Sequence, residues 1–152
     1  MLDQDVLPGG AGAAPRLRFD SRIAVVLRED LATWQKLNVT AFLASGIVAG
    51  APDVVGLPYA DGSGGLYLPM FAQPVLVFAG PAAALRTAFE RALARNIRPS
   101  IYTDELFATD NDADNRAAVR AVRREALRLA GFAFRAPRRE ADKVLKGLSL
   151  HP

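Results

Sequence analysis

Lys36 and Asp104 are the residues of this chain best placed to do chemistry. Lys36 stands near the start of an apolar helical stretch, and Asp104 follows the strand-like run Pro99-Ser100-Ile101-Tyr102-Thr103. A carboxylate at the C-terminal end of a strand, beside the loop leading to the next helix, is where open α/β sheets seat ligands. A lysine from a neighbouring helix start could pair with it, and the two could orient a water or hold an anionic group. The plainer alternative is an ion pair that fastens the helix to the loop. Glu105 adds a second carboxylate, but adjacent residues of an extended chain point to opposite faces, which argues against an acid/base pair. Tyr102, with Trp34, Tyr59 and Tyr67, could line a pocket mouth, because these side chains join an apolar body to a polar tip. Trp34 reads equally well as plain core.

Other charged groups have quieter explanations. Asp110, Asp112 and Asp114 alternate like the start of a calcium loop. They lack its glycine at position six and its glutamate at position twelve, where this chain has Asn115 and Ala121. Capping of the helix that follows explains them better, since carboxylates are favoured at a helix's positive end. Arg116, Arg120, Arg123 and Arg124 recur at helical spacing, and Arg138, Arg139, Lys143 and Lys146 follow. Such a face could track an RNA backbone, although no aromatics interleave it to stack bases. A solvated surface is the alternative. His151 is the single histidine and cysteine is absent, so no metal site is expected. No nucleophilic triad, phosphate loop or dinucleotide fingerprint calls for a cofactor.

The elements that must hold these groups are legible from periodicity. Ile23-Ala24-Val25-Val26-Leu27 and Pro74 to Ala79 are continuous apolar runs of strand length, as expected of strands covered on both faces. The run 99–103 and Leu129 to Arg135 complete a set of about four strands. Between them lie a helix over about 33–49 with Thr33 as its N-cap, and helices over about 82–96, 113–123 and 138–145. The first of these is apolar nearly all round and therefore reads as buried, Leu37 included. Residues 51–70 are rich in Gly and Pro and predict a long loop, with Leu66-Tyr67-Leu68 as a short edge strand and 56–70 as a roof over the candidate pocket. Alternation of strand and helix implies a three-layer α/β/α sandwich with a mixed, mainly parallel sheet.

Composition sets the frame. The 152 residues fit one domain. Residues 1–20 are small, Gly/Pro-rich and aperiodic, so they read as a flexible leader before a domain over 21–152. No apolar run is long enough to cross a bilayer, and no signal peptide is evident, which makes the cytoplasm the expected location. Residues 1–115 carry 9 Lys/Arg against 13 Asp/Glu, and residues 116–152 carry 10 against 3. The basic final third could meet phosphate or an acidic partner. A homo-oligomer is left open.

Three segments resemble peptidyl-tRNA hydrolase II: IAVVLREDLATWQKLNVTAFLASGI, SIYTDELFAT and ADKVLKGLSL. The resemblance implies that family's fold. It matches Arg28 and Asp30 to the pair ending its first strand, Lys36 to its helix-start lysine, Asp104 to its loop aspartate and Thr109 to its loop threonine. Thr40 stands where those hydrolases carry glutamine, Leu43 where they carry histidine, and Gln35 and Leu106 where they carry glycines. Little or no hydrolysis of peptidyl-tRNA is expected on that account. A fuller similarity, from about Arg22 to His151, is to an uncharacterised, mostly bacterial family, the domain of unknown function numbered two thousand. VLREDLATWQKLNV, QPVLVFAG, IYTDELFATDNDADNR and DKVLKGLSLH carry it, and it implies the same fold and no known activity. The combined expectation is a binder of a small or anionic ligand around Lys36, Asp104, Tyr102, Arg28, Asp30 and Thr40. Hydrolysis of an ester or amide by Lys36, Asp104 and Thr109 is the second reading, and RNA-backbone binding by Arg116, Arg120 and Arg124 the third.

Overall fold

A computed structural model describes residues 18–152. The first strand, β1 (Ser21–Arg28), leads into helix α1 (Thr33–Gly50). A small hairpin follows, β2 (Tyr59–Ala60) and β3 (Leu66–Tyr67), and then β4 (Val75–Gly80) with helix α2 (Ala82–Ala94). The remaining elements are β5 (Ser100–Thr103), α3 (Asp112–Arg120), β6 (Leu129–Pro137), α4 (Arg138–Leu145) and β7 (Ser149–Leu150). Residues 1–17, most of the expected leader, lie outside the described residues. Its end is tied down, because Arg138 N donates to Asp20 O at 2.9 Å.

The main sheet has five strands in the order β5-β6-β1-β4-β7. Only β1 and β4 pair in parallel, from Ile23↔Val75 to Arg28↔Gly80. The β1–β6, β4–β7 and β5–β6 pairs are antiparallel. The class is α/β, but the expected mainly parallel sheet of about four strands is instead mainly antiparallel with five. The reason lies in the connection after β5. Helix α3 buries no residue fully and packs on the 3-10 turn Asp104–Ala108. It does not carry the chain across the sheet, so β6 returns beside β5 in the opposite direction.

Alternation along β1 sends side chains to two cores. Ile23, Val25 and Leu27 join Val39, Leu43 and Ile47 of α1, while Ala24 and Val26 join Leu85 and Phe89 of α2 and Val144 of α4. Phe132 and Phe134 of β6 fill the second core. Close approach of α1 to the sheet needs glycine. A Cβ on Gly131 would lie 3.1 Å from Val39 of α1 and 2.8 Å from Val26 O of β1, and one on Gly46 would lie 2.7 Å from the Ser100 Cβ.

Helix α1 is not buried all round. Val39, Leu43 and Ile47 face the sheet, but Leu37 is 68% exposed and Trp34 61%. A helix on the outer layer has one side on the sheet, and nothing among the described residues covers the other. Its N-cap position is Ala32, one residue before the expected Thr33, and Gln35 Oε1 accepts from Ala32 N at 2.9 Å. Val75, Val77 and Ile101 are half-buried at the sheet's flanks. Residues 66–68 form no edge of the main sheet, because β3 pairs with β2 alone. Asp61 organises that hairpin by accepting from Ser63 N, Gly65 N and the Tyr67 hydroxyl at 2.7–2.9 Å. No helix among the described residues is long and apolar enough to cross a membrane.

Candidate functional site

The sheet topology gathers several strand ends in one place. Strands β1, β4 and β5 run the same way, so Arg28, Gly80 and Thr103 end at one side of the sheet, where antiparallel β6 begins at Leu129. A cleft of about 510 Å³ opens there. Arg28, Asp30, Asp104, Arg86 and Arg128 line it, together with Ala82 and Ala83 from the first turn of α2.

Arg28 is its centre. Its Nε donates to Asp30 at 2.6 Å, and its Nη1 donates to Asp104 at 2.8 Å and to Leu129 O at 3.1 Å. Burial disfavours the charge, but the two carboxylates outweigh it and raise the Arg28 pKa above the usual arginine value. Among the described residues its Nη2 has no hydrogen-bond partner. Arg86 is fixed by donation to the carbonyls of Arg124, at 3.0 Å, and Leu127. Arg128 is exposed and donates to Glu105 at 3.2 Å. The Glu105 carboxyl is held below the usual range, first by its own backbone amide and further by Arg128. Helix α2 has Pro81 at its N-cap with no side-chain cap, and its first two amides, of Ala82 and Ala83, have no intrahelical partner, while Ala84 N donates to Pro81 O.

Lys36 and Asp104 make no ion pair. Asp104 is engaged by Arg28, while Lys36 Nζ donates to His151 Nε2 at 3.0 Å. A ring nitrogen that accepts leaves the proton on the other, and Nδ1 donates to Pro152 O at 2.9 Å. Lys36 is not part of the cleft lining. The Thr40 hydroxyl turns back into α1, donating to Lys36 O at 2.7 Å. That of Thr109 is spent on Leu106 O, at 2.9 Å, and on Asn115 Oδ1. Tyr102 is buried and lies in a separate groove between α1 and α3, with Trp34 but without Tyr59 or Tyr67. The hairpin lines neither space, so 56–70 is not the expected roof.

The arginine run does not form one helical face. Helix α3 ends at Arg120, and Arg124 opens the 3-10 turn Arg124–Ala126. Arg116 pairs with Asp112 one turn earlier. The cap of α3 is Asn111, which accepts from Asp114 N at 2.9 Å, with Asp112 and Asp114 in the first turn.

Sequence reasoning missed Arg86, Arg128 and Asn38. The two arginines carry no local pattern: Arg86 reaches the cleft from α2, and Arg128 only through the antiparallel return of β6. Asn38 did leave a signal: it sits four residues from both Trp34 and Phe42, a polar side chain between aromatics on one helical stripe.

The model of a family described as "Protein of unknown function (DUF2000)" matches residues 21–152. The chain belongs to this family. A solved structure, that of the protein of unknown function Atu0240 from Agrobacterium tumefaciens, is 48% identical. It superposes with a TM-score of 0.87 over 89% of this chain and 100% of that one. No curated protein matches the chain. For this DUF2000 member the geometry of the cleft therefore carries the functional argument.

Proposed function

We propose that this protein binds a small anionic ligand, bearing phosphate or carboxylate, in the cleft at the end of β1. The observation that carries the reading is Arg28, a largely buried guanidinium kept charged by two carboxylates, with one terminal nitrogen left unpartnered. A fork whose other donors are already fixed is preorganised for an acceptor, and less entropy is lost when one arrives. Arg128 and the leading amides of α2 add donors around the same space, and helix N-termini favour anions. The test is thermal unfolding against a panel of phosphorylated and carboxylated small molecules. A ligand at 100 times its Kd stabilises by about 2.7 kcal/mol. The expected result is a saturable shift that Arg28→Gln removes. A panel without any shift, or a shift intact in Arg28→Gln, refutes the reading.

The hydrolase II fold is the finer part of the same reading, supported by the order of its elements and by the matched positions Arg28, Asp30, Lys36 and Asp104. Hydrolysis is its weaker branch. Asp104 is committed to Arg28 and Lys36 to His151, so neither is positioned to activate a water for the other. Peptide release from peptidyl-tRNA is expected to stay near background. Robust turnover abolished by Asp104→Asn and by Lys36→Ala reverses that expectation.

A further inference from the structure

The groove between α1 and α3 shares no lining residue with the Arg28 cleft. Two adjoining cavities of about 450 and 430 Å³ form it, and they have Phe42, Tyr102, Leu106, Asp112 and Asn115 in common. Each is of the size that encloses a small organic ligand.

Its walls are aromatic. Trp34 meets Phe107 edge-on at 5.9 Å, Phe107 lies 5.0 Å from Tyr102, and Phe42 meets Tyr102 at 5.8 Å. Trp34 and Phe42 are more than half exposed, whereas Tyr102 is 4% exposed. The buried tyrosine is incompletely satisfied. Its oxygen accepts from Asn38 Nδ2 at 3.4 Å, but its own hydrogen has no acceptor among the described residues. Asn38 Oδ1 likewise has no donor there. Burial raises the Tyr102 pKa, against the opposing pull of Asn38, so the phenol stays protonated and able to donate at neutral pH. Tyr102 lines the groove, so its free hydroxyl hydrogen is available there to a ligand acceptor.

Charge is unevenly spread along the groove. Asp112, paired with Arg116, lines both ends, whereas Asp110 lines only the end that Trp34 lines and Arg120 only the other. Arg116 is already held by Asp112, while Arg120 makes no ion pair among the described residues.

We infer that this groove binds a mononucleotide, with its base against Trp34, Phe42 and the Tyr102–Asn38 pair and its phosphate at Arg120. A planar base offers a π-face to the aromatic walls. Its edge offers an acceptor and a donor side by side, which the Tyr102 hydroxyl and Asn38 Oδ1 complement. Asp110 repels phosphate from the Trp34 end and so sets the direction of the ligand. Neither an uncharged aromatic nor a bare anion uses all three features.

Trp34 is the only tryptophan, so intrinsic fluorescence reports on this groove directly. The experiment titrates the protein with AMP, GMP, CMP and UMP, and with adenosine and inorganic phosphate as controls. A saturable change with at least one mononucleotide is expected, with its nucleoside weaker by about tenfold and phosphate silent. Arg120→Ala should bring the nucleotide down to the nucleoside's affinity without changing the latter. Tyr102→Phe should weaken both by about tenfold. Arg28→Gln should change none of these values, which separates this groove from the anion cleft. Because Arg120 is exposed, its variant tests the idea even if Tyr102→Phe folds poorly. The inference is overturned by no saturable response to any mononucleotide on the order of millimolar, by an equal response to phosphate alone, or by an Arg120→Ala variant that binds as the parent does. A single-stranded oligonucleotide bound far more tightly than any mononucleotide would overturn it in favour of RNA.

Discussion

Strand β1 and helix α1 are neighbours in sequence and both are apolar nearly all round, yet the fold treats them differently. Ile23 to Leu27 are at most 2% exposed, while α1 exposes Trp34, Leu37 and Phe42 by more than half. A central strand has two faces and finds a helical layer on each. A helix in an outer layer finds the sheet on one side only. Apolar composition therefore reports burial for the strand, and for the helix it reports burial on one side and exposed apolar surface on the other.

Substitutions can break or sharpen this contrast. The largest effect is expected of Val25→Asp, which places an unpaired carboxylate in the core. Such burial costs several kcal/mol against a total stability of about 5–15 kcal/mol. Circular dichroism should show no cooperative unfolding, and a normal transition would mean β1 is less enclosed than its side-chain burial implies. Leu43→Ala, on the sheet side of α1, should cost about 2–5 kcal/mol in urea denaturation. Gly46→Ala should cost about 1–3 kcal/mol, because the added methyl meets Ser100 and pushes α1 off β5. Leu37→Ala, on the outer side, should stay within about 0.5 kcal/mol. A larger loss that depends on protein concentration would show that a second copy covers the outer stripe.

The sequence made the strands legible because runs such as Ile23 to Leu27 and Pro74 to Ala79 are too short and too apolar for anything else. It made the helices legible through their boundaries, as at Pro81, which opens α2, and Gly147, which follows α4. Strand direction was not legible. A helix between two strands implies a parallel pair only if it crosses the sheet, and the short, polar α3 does not. The site suffered from the same gap. Asp104 was found from its position after a strand and Arg28 from the hydrolase II resemblance, but their pairing displaced the expected Lys36–Asp104 contact. That displacement depends on how far apart β1, β5 and α1 sit, and no local pattern encodes it. Tyr102 was found for its chemistry, and its partner Asn38 was overlooked although its spacing marked it.

The pairing of β1 with β6 has a consequence for how the molecule comes into being. Ser21 and Arg135, joined through their side chains across this ladder, are 114 residues apart in sequence. During synthesis at about 5–20 residues per second, β1 waits several seconds or more for its antiparallel partner. Until then one edge of β1, with its apolar run Ile23 to Leu27, is unpaired, an invitation to intermolecular strand addition. Pairing of β1 with β4 can form earlier and gives the nascent chain a partial shelter. The molecule should therefore fold slowly for its size, as expected where the decisive contacts are the most distant ones.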